Sequence, residues 1–121
     1  MSIPHAHPGE VIDVRPYGSV LAEAMTSALF KTESLEVIRM VIPRGKEIPT
    51  HATRGEVTIQ CLEGRVSFMT GGITNELTAG QMLYLRSEQS HSVLGIEDSS
   101  LLVTIILPPA SRGARPDPTA I

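Results

Sequence analysis

Tryptophan is absent from the 121-residue chain, and two Phe and two Tyr are its only aromatic side chains. So few rings leave almost nothing for stacking on bases, and only a thin platform for stacking on sugars. There is no basic excess either. The formal net charge is −3, and a surface built to hold phosphates would carry the opposite sign. Nucleic acid is therefore not expected as a partner. No apolar run approaches the roughly 18 residues needed to cross a bilayer as a helix. The opening "MSIPHAHPGE" has neither the basic start nor the apolar stretch of a signal peptide. The single cysteine, Cys61, cannot close an internal disulfide. No membrane partner is expected, and a soluble protein of the reducing cytoplasm is.

Apolar residues make up 41% of the chain and charged residues 19%, a globular balance in a length suited to one domain. Helical composition is confined to "GSVLAEAMTSALF", where a short helix over 19–24 gives way to a strand near 26–31. Beyond it the pattern is strand and turn. "LEVIRMVI" is β-branched and stops at "PRG". "EVTIQCL" alternates, with Val57, Ile59 and Cys61 on one face and Glu56, Thr58 and Gln60 on the other. "RVSFMT", "ITNELTAG", "QMLYL", "HSVLGI" and "SLLVTIIL" continue the series, the last reading as a strand buried on both faces. Short strands separated by Gly-bearing turns indicate an all-β sandwich or barrel. The segment divides into an N-terminal arm with the helix and first strands (1–34), a barrel core (35–107) and a Pro-rich tail (108–121). "EVIDV" at 10–14 reads as an amphipathic strand that needs a sheet edge, suited to exchange between subunits.

Two glycine-anchored stretches resemble the two signature motifs of the cupin family. In the first, Gly45 is followed after five residues by His51, and the closing glycine is Gly64. In the second, Gly80 precedes "QMLYL", then "RSE" where the family has Pro-x-Gly, then His91, with Gly95 at the family's Asn position. The resemblance covers roughly 35–107 and implies a double-stranded β-helix, the cupin jelly-roll barrel, with one short N-terminal helix. It also implies a homodimer and a site inside the barrel. Cupins commonly bind a divalent metal through two motif-one histidines, a glutamate and the motif-two histidine. Here only His51 and His91 match; Thr53 stands for the second histidine and Val57 for the glutamate.

A metal set drawn from these positions is His51, His91 and Glu56, for Zn, Fe, Mn or Ni. Strand alternation opposes Glu56: if Val57, Ile59 and Cys61 face inward, Glu56 faces out, unless a bulge at Gly55 re-aims it. The opposite assignment, with the polar face lining the cavity, would bring Gln60 in beside Glu56. The expected pocket comprises His51, Thr53, Gln60, Tyr84 and His91, with Met82 sharing the face of Tyr84. Cys61 reads as a buried structural thiol, and Arg39 and Glu36 as members of solvated faces or a subunit contact. Two functions fit. One is a small-molecule binding module with or without metal; the other is a metal-dependent cupin-type enzyme, a dioxygenase or isomerase acting on a small polar substrate.

Overall fold

A computed structural model describes residues 5–109. The tail expected from 108 onward therefore lies outside the described residues, apart from Pro108 and Pro109. Nine strands are present among them: β1 (Ser27–Lys31), β2 (Leu35–Ile42), β3 (Glu47–His51), β4 (Val57–Glu63), β5 (Arg65–Thr70), β6 (Ile73–Thr78), β7 (Met82–Leu85), β8 (His91–Gly95) and β9 (Ser99–Ile106). The one helix among the described residues is a short 3-10 segment, Gly18–Glu23. None of the described helical segments is long and apolar enough to cross a membrane.

The strands form two antiparallel sheets, in the order β1-β2-β9-β4-β7 and β3-β8-β5-β6. Their inner faces meet in one apolar core. Ile38, Met40 and Ile42 come from β2, Val57, Ile59 and Cys61 from β4, Val66 and Phe68 from β5, and Leu101, Val103 and Ile105 from β9. Burial of each large aliphatic or aromatic side chain stabilises the fold by about 1.5–3 kcal/mol. The period of two read in "EVTIQCL" is the inward–outward alternation of β4.

β3 does not stand out in the sequence, because Pro49 interrupts "EIPTH". Proline donates no ladder hydrogen bond, and β3 tolerates it by lying at the edge of its sheet, with a register shift between Ile48 and His51. β9 departs from the expected two-sided burial. It sits mid-sheet with Leu101, Val103 and Ile105 buried, while Leu102 and Thr104 on the outer face are half-buried. Residues 10–14 form no strand, and Val11 is 92% exposed.

Arg39 is not solvated. It is buried on the outer face of β2, where its guanidinium meets Glu63 Oε2 at 3.2 Å, donates to the Arg15 carbonyl at 2.6 Å and lies 3.8 Å from the Tyr17 ring centroid. A register shift between Cys61 and Glu63 makes this possible. Without it, Glu63 would share the inner face of Cys61; with it, Glu63 pairs with Ser100 on the outer face. Glu63 then accepts from Ser100 Oγ at 2.6 Å and from the amides of Tyr17 and Gly18 at 2.9 and 3.2 Å. The N-terminal arm is thereby fastened to the outside of the five-stranded sheet.

Candidate functional site

His51 ends β3 and His91 begins β8, and the two are partners in the β3–β8 ladder. Their ring centroids are 4.5 Å apart at an interplanar angle of 52°. His91 is 1% exposed and stacks on Phe68 at 6.3 Å between centroids. His51 is half-buried and borders a cleft of about 520 Å³ between β2 and β3, walled by Met40, Ile42, Pro43, Ile48 and Pro49. Five residues carry the chain from His51 to Val57, and five from Leu85 to His91. The histidines, Val57 and Leu85 therefore share one end of the barrel.

Each ring is oriented by a backbone carbonyl two residues upstream. His51 Nδ1 lies 2.9 Å from the Pro49 oxygen, and His91 Nδ1 lies 3.0 Å from the Gln89 oxygen. A carbonyl oxygen only accepts, so in the neutral ring each Nδ1 carries the proton and each Nε2 the lone pair. The His91 loop is itself held. Gln89 accepts from the Arg86 amide at 3.1 Å and donates to Thr70 Oγ1 at 3.0 Å, and Thr70 Oγ1 donates to the Ser90 carbonyl at 2.7 Å. Glu88 adopts φ 65° in this loop, a conformation uncommon for a residue with a side chain. Its amide donates to the Thr53 carbonyl at 2.8 Å, tying together the two loops that bear the histidines.

The other expected site residues divide by face. Thr53 is buried beside the histidine loops, but its hydroxyl donates to the Gly55 carbonyl at 2.9 Å. Val57, at the position of the family's glutamate, points into the core. Glu56 does not join the histidines: it is exposed, and its Oε2 accepts from the Tyr84 hydroxyl at 2.7 Å. No bulge intervenes at Gly55, where a Cβ would collide with the Ile106 carbonyl. Gln60 and Tyr84 are likewise outward. Gln60 pairs with Met82 and Thr58 with Tyr84, and Met82 and Tyr84 are 59% and 58% exposed. The cause is the pleat, which places every second residue of β4 and β7 outside once Val57, Ile59, Leu83 and Leu85 turn inward. Donating to Glu56 raises the pKa of the Tyr84 phenol above its ordinary value of 10.0.

Cys61 is wholly buried, and its thiol donates to the Glu63 carbonyl at 3.4 Å. Burial pushes its pKa up, the opposite of what a nucleophile needs. Two residues at this end were not among the expected set. Gln89 gave no signal, since its role depends on a loop closing onto Thr70. Glu36 did leave one: in "LEVIRMVI" it alternates with Ile38, Met40 and Ile42, the inner face of β2, and it is 4% exposed.

A divalent ion held by protein alone wants three or more converging donors. Among the described residues no three His, Cys, Asp or Glu side chains converge in that way. The donor set of two imidazoles, with Thr53 and Val57 in the remaining motif positions, does not fit a tightly held metal.

The fold is the jelly-roll barrel also found in solved cupin structures. A cupin superfamily protein from Desulfitobacterium hafniense is similar over 85% of this chain and 100% of its own, with TM-score 0.70 and 13% identity. An RmlC-like cupin with a double-stranded β-helix fold from Methanocaldococcus jannaschii matches over 85% and 97%, with TM-score 0.66 and 17% identity. A predicted oxalate decarboxylase from Thermotoga maritima matches over 69% and 79%, with TM-score 0.62 and 26% identity. No protein-family model matches the sequence, and no curated protein matches it.

Proposed function

We propose that the protein is a small-molecule binding module whose pocket is the histidine-bearing end of the barrel. The observation that carries this reading is the His51–His91 pair, with rings 4.5 Å apart and each fixed by its own carbonyl. His51 borders the cleft walled by Met40, Ile42, Pro43, Ile48 and Pro49, a concave and largely apolar surface with few polar groups. His51 and His91 hold the ligand's donors, Gln89 and Thr53 hold the loops, and the barrel wall excludes water.

The second reading is a metal-dependent cupin-type enzyme of the dioxygenase or isomerase class. It draws on the same carbonyl-oriented rings, since metal-binding imidazoles commonly donate their other N–H in this way. A metal there would be a Lewis acid or an oxygen-activating centre. It lacks a third protein donor among the described residues.

Metal analysis of protein purified without an affinity tag separates the two. The binding-module reading expects substoichiometric metal that falls no further in a His51→Ala, His91→Ala double variant. It also expects a ligand found by screening to shift both imidazole resonances and to lose its affinity in that variant. Stoichiometric metal that is lost in the double variant would overturn the metal-free reading in favour of the enzyme.

A further inference from the structure

Lys46 brings a positive charge to the wall of an apolar cleft. The cleft, of about 520 Å³, opens where β2 and β3 enter different sheets after the turn at 43–46, and it runs along β3 as far as His51. Met40, Ile42, Pro43, Ile48 and Pro49 wall it. Met40 and Ile42 also belong to the core, so the cleft reaches down to the barrel interior.

The register of β3 sorts the charges at this wall. Ile48 pairs with the buried Val93 and packs against the core, so its side chain points inward. The Gly95 amide donates to the Lys46 carbonyl at 2.9 Å, which carries the β3–β8 ladder back to Lys46. Alternation then puts Lys46 on the inner face with Ile48. Glu47 borders the cleft too, but it pairs with the exposed Leu94, so its carboxylate belongs to the outer face of the sheet. No carboxylate engages Lys46 among the described residues.

Thr26 supplies a second donor from the other side of the cleft. Its Oγ1 accepts from the Val41 amide at 2.9 Å, which leaves the hydroxyl proton available to an acceptor. Val41 lies just before Pro43, whose carbonyl accepts from the Lys46 amide at 3.0 Å, so both donors stand at the turn end of the cleft. Apolar walls with donors grouped at one end select a ligand with an apolar body and an acceptor at one end. A neutral acceptor would satisfy Thr26 and leave the ammonium unmatched, whereas a carboxylate meets both.

We propose that the ligand of this cleft is a small monocarboxylate with an apolar body. Its carboxylate seats between Lys46 and Thr26, its body lies along Met40, Ile42, Ile48 and Pro49, and its far end points toward His51. This rests on the reading of the histidine end as the binding pocket, and it requires no contact from the imidazole nitrogens.

Three probes with one apolar body and different head groups test this: phenylbutyrate, phenylbutanol and phenylbutylamine. Each is titrated into the full chain and its Lys46→Met and Lys46→Glu variants. Lys46 is exposed, so both variants are expected to melt as the wild type does. Calorimetry reads affinity, and the methyl resonances of Met40 and Ile48 report location. Phenylbutyrate is expected to shift both methyls and to bind about three- to fivefold more tightly than phenylbutanol, the scale of a solvent-exposed ion pair. Lys46→Met should erase that preference while phenylbutanol binding stays, and Lys46→Glu should pass it to phenylbutylamine. The preference should also shrink as salt is raised. Acid and alcohol binding equally, or a preference that survives Lys46→Met or ignores salt, overturns the proposal and leaves the binding site standing. If no probe shifts either methyl, the binding-pocket reading and this proposal fall together.

Discussion

His51 and His91 are cross-strand partners, and the β3–β8 ladder, not a loop, brings their rings to 4.5 Å. Backbone pairing sets the separation, so the pair keeps its geometry without a bound ion to hold it. The burial of the two rings is unequal, and their substitutions should differ accordingly.

His91→Ala removes a buried ring stacked on Phe68 and leaves a cavity, for an expected loss of about 2–4 kcal/mol in urea unfolding. His51→Ala, at a half-buried edge position, should cost less than about 1 kcal/mol. A double-mutant cycle should show coupling of about 0.5–1.5 kcal/mol, the range for interacting rings in contact. Strict additivity would mean that the rings do not interact.

Glu63 gives the fold an acid-sensitive fastening. Burial alone would raise its pKa, but the hydrogen bonds from Ser100, Tyr17 and Gly18 and the charge of Arg39 outweigh that and hold it below the ordinary 4.5. A depressed carboxylate contributes stability that is present above its unfolded pKa and lost as pH falls through the folded one. Wild-type stability should therefore drop on acidification below about pH 4.5, and Glu63→Gln should lack that component in pH-dependent unfolding. Arg39→Ala strands a mostly buried carboxylate and should destabilise by about 3 kcal/mol.

The outward position of Glu56 is open to direct titration. Tyr84 should ionise above 10.0 in the wild type, followed by phenolate absorbance. Glu56→Gln removes the carboxylate that favours the protonated phenol, so the midpoint should fall back toward that value while ligand binding at the histidines is unchanged. A midpoint that stays put would separate Tyr84 from Glu56.

Two motif glycines should differ sharply on substitution. Gly45 has φ 82° with open space at its Cβ position, so Gly45→Ala should cost about 1 kcal/mol of backbone strain. Gly64 has φ 87°, and a Cβ there would run into the backbone of Asp98 and Ser99. Gly64→Ala should cost several times as much in thermal unfolding, adding collision to strain. Equal losses at the two sites would contradict this packing.

Cys61 should react with a thiol reagent only as fast as the protein opens. It is buried, and burial raises its pKa, so little thiolate is present and none is accessible. Fast native-state labelling would place the thiol at the surface.

Much of this architecture is written in local pattern. The runs "LEVIRMVI" and "RVSFMT" are strands over the same residues in the structure, because β-branched alternation bounded by Gly and Pro is a local signal. The spacing from Gly45 to His51 and from Gly80 to His91 pointed to a histidine pair before any strand was paired. Alternation also contained the outward direction of Glu56 and the inward direction of Glu36; the second went unread because a charge suggests a surface.

Other features were decided only when the two sheets met. β3 was hidden because Pro49 is tolerable only at an edge, and edges are a property of the assembled sheet. Tyr84 and Gln60 went outside because Leu85 and Ile59 took the core, a choice of face that β7's four residues cannot announce alone. The shift at Cys61–Glu63, which turns Glu63 toward Arg39, exists through pairing with β9. The sequence by itself determined an all-β chain carrying two motif histidines, since period and spacing are local. Tertiary structure alone decided which polar groups share a space with them, since burial against a facing sheet is a relation between distant segments.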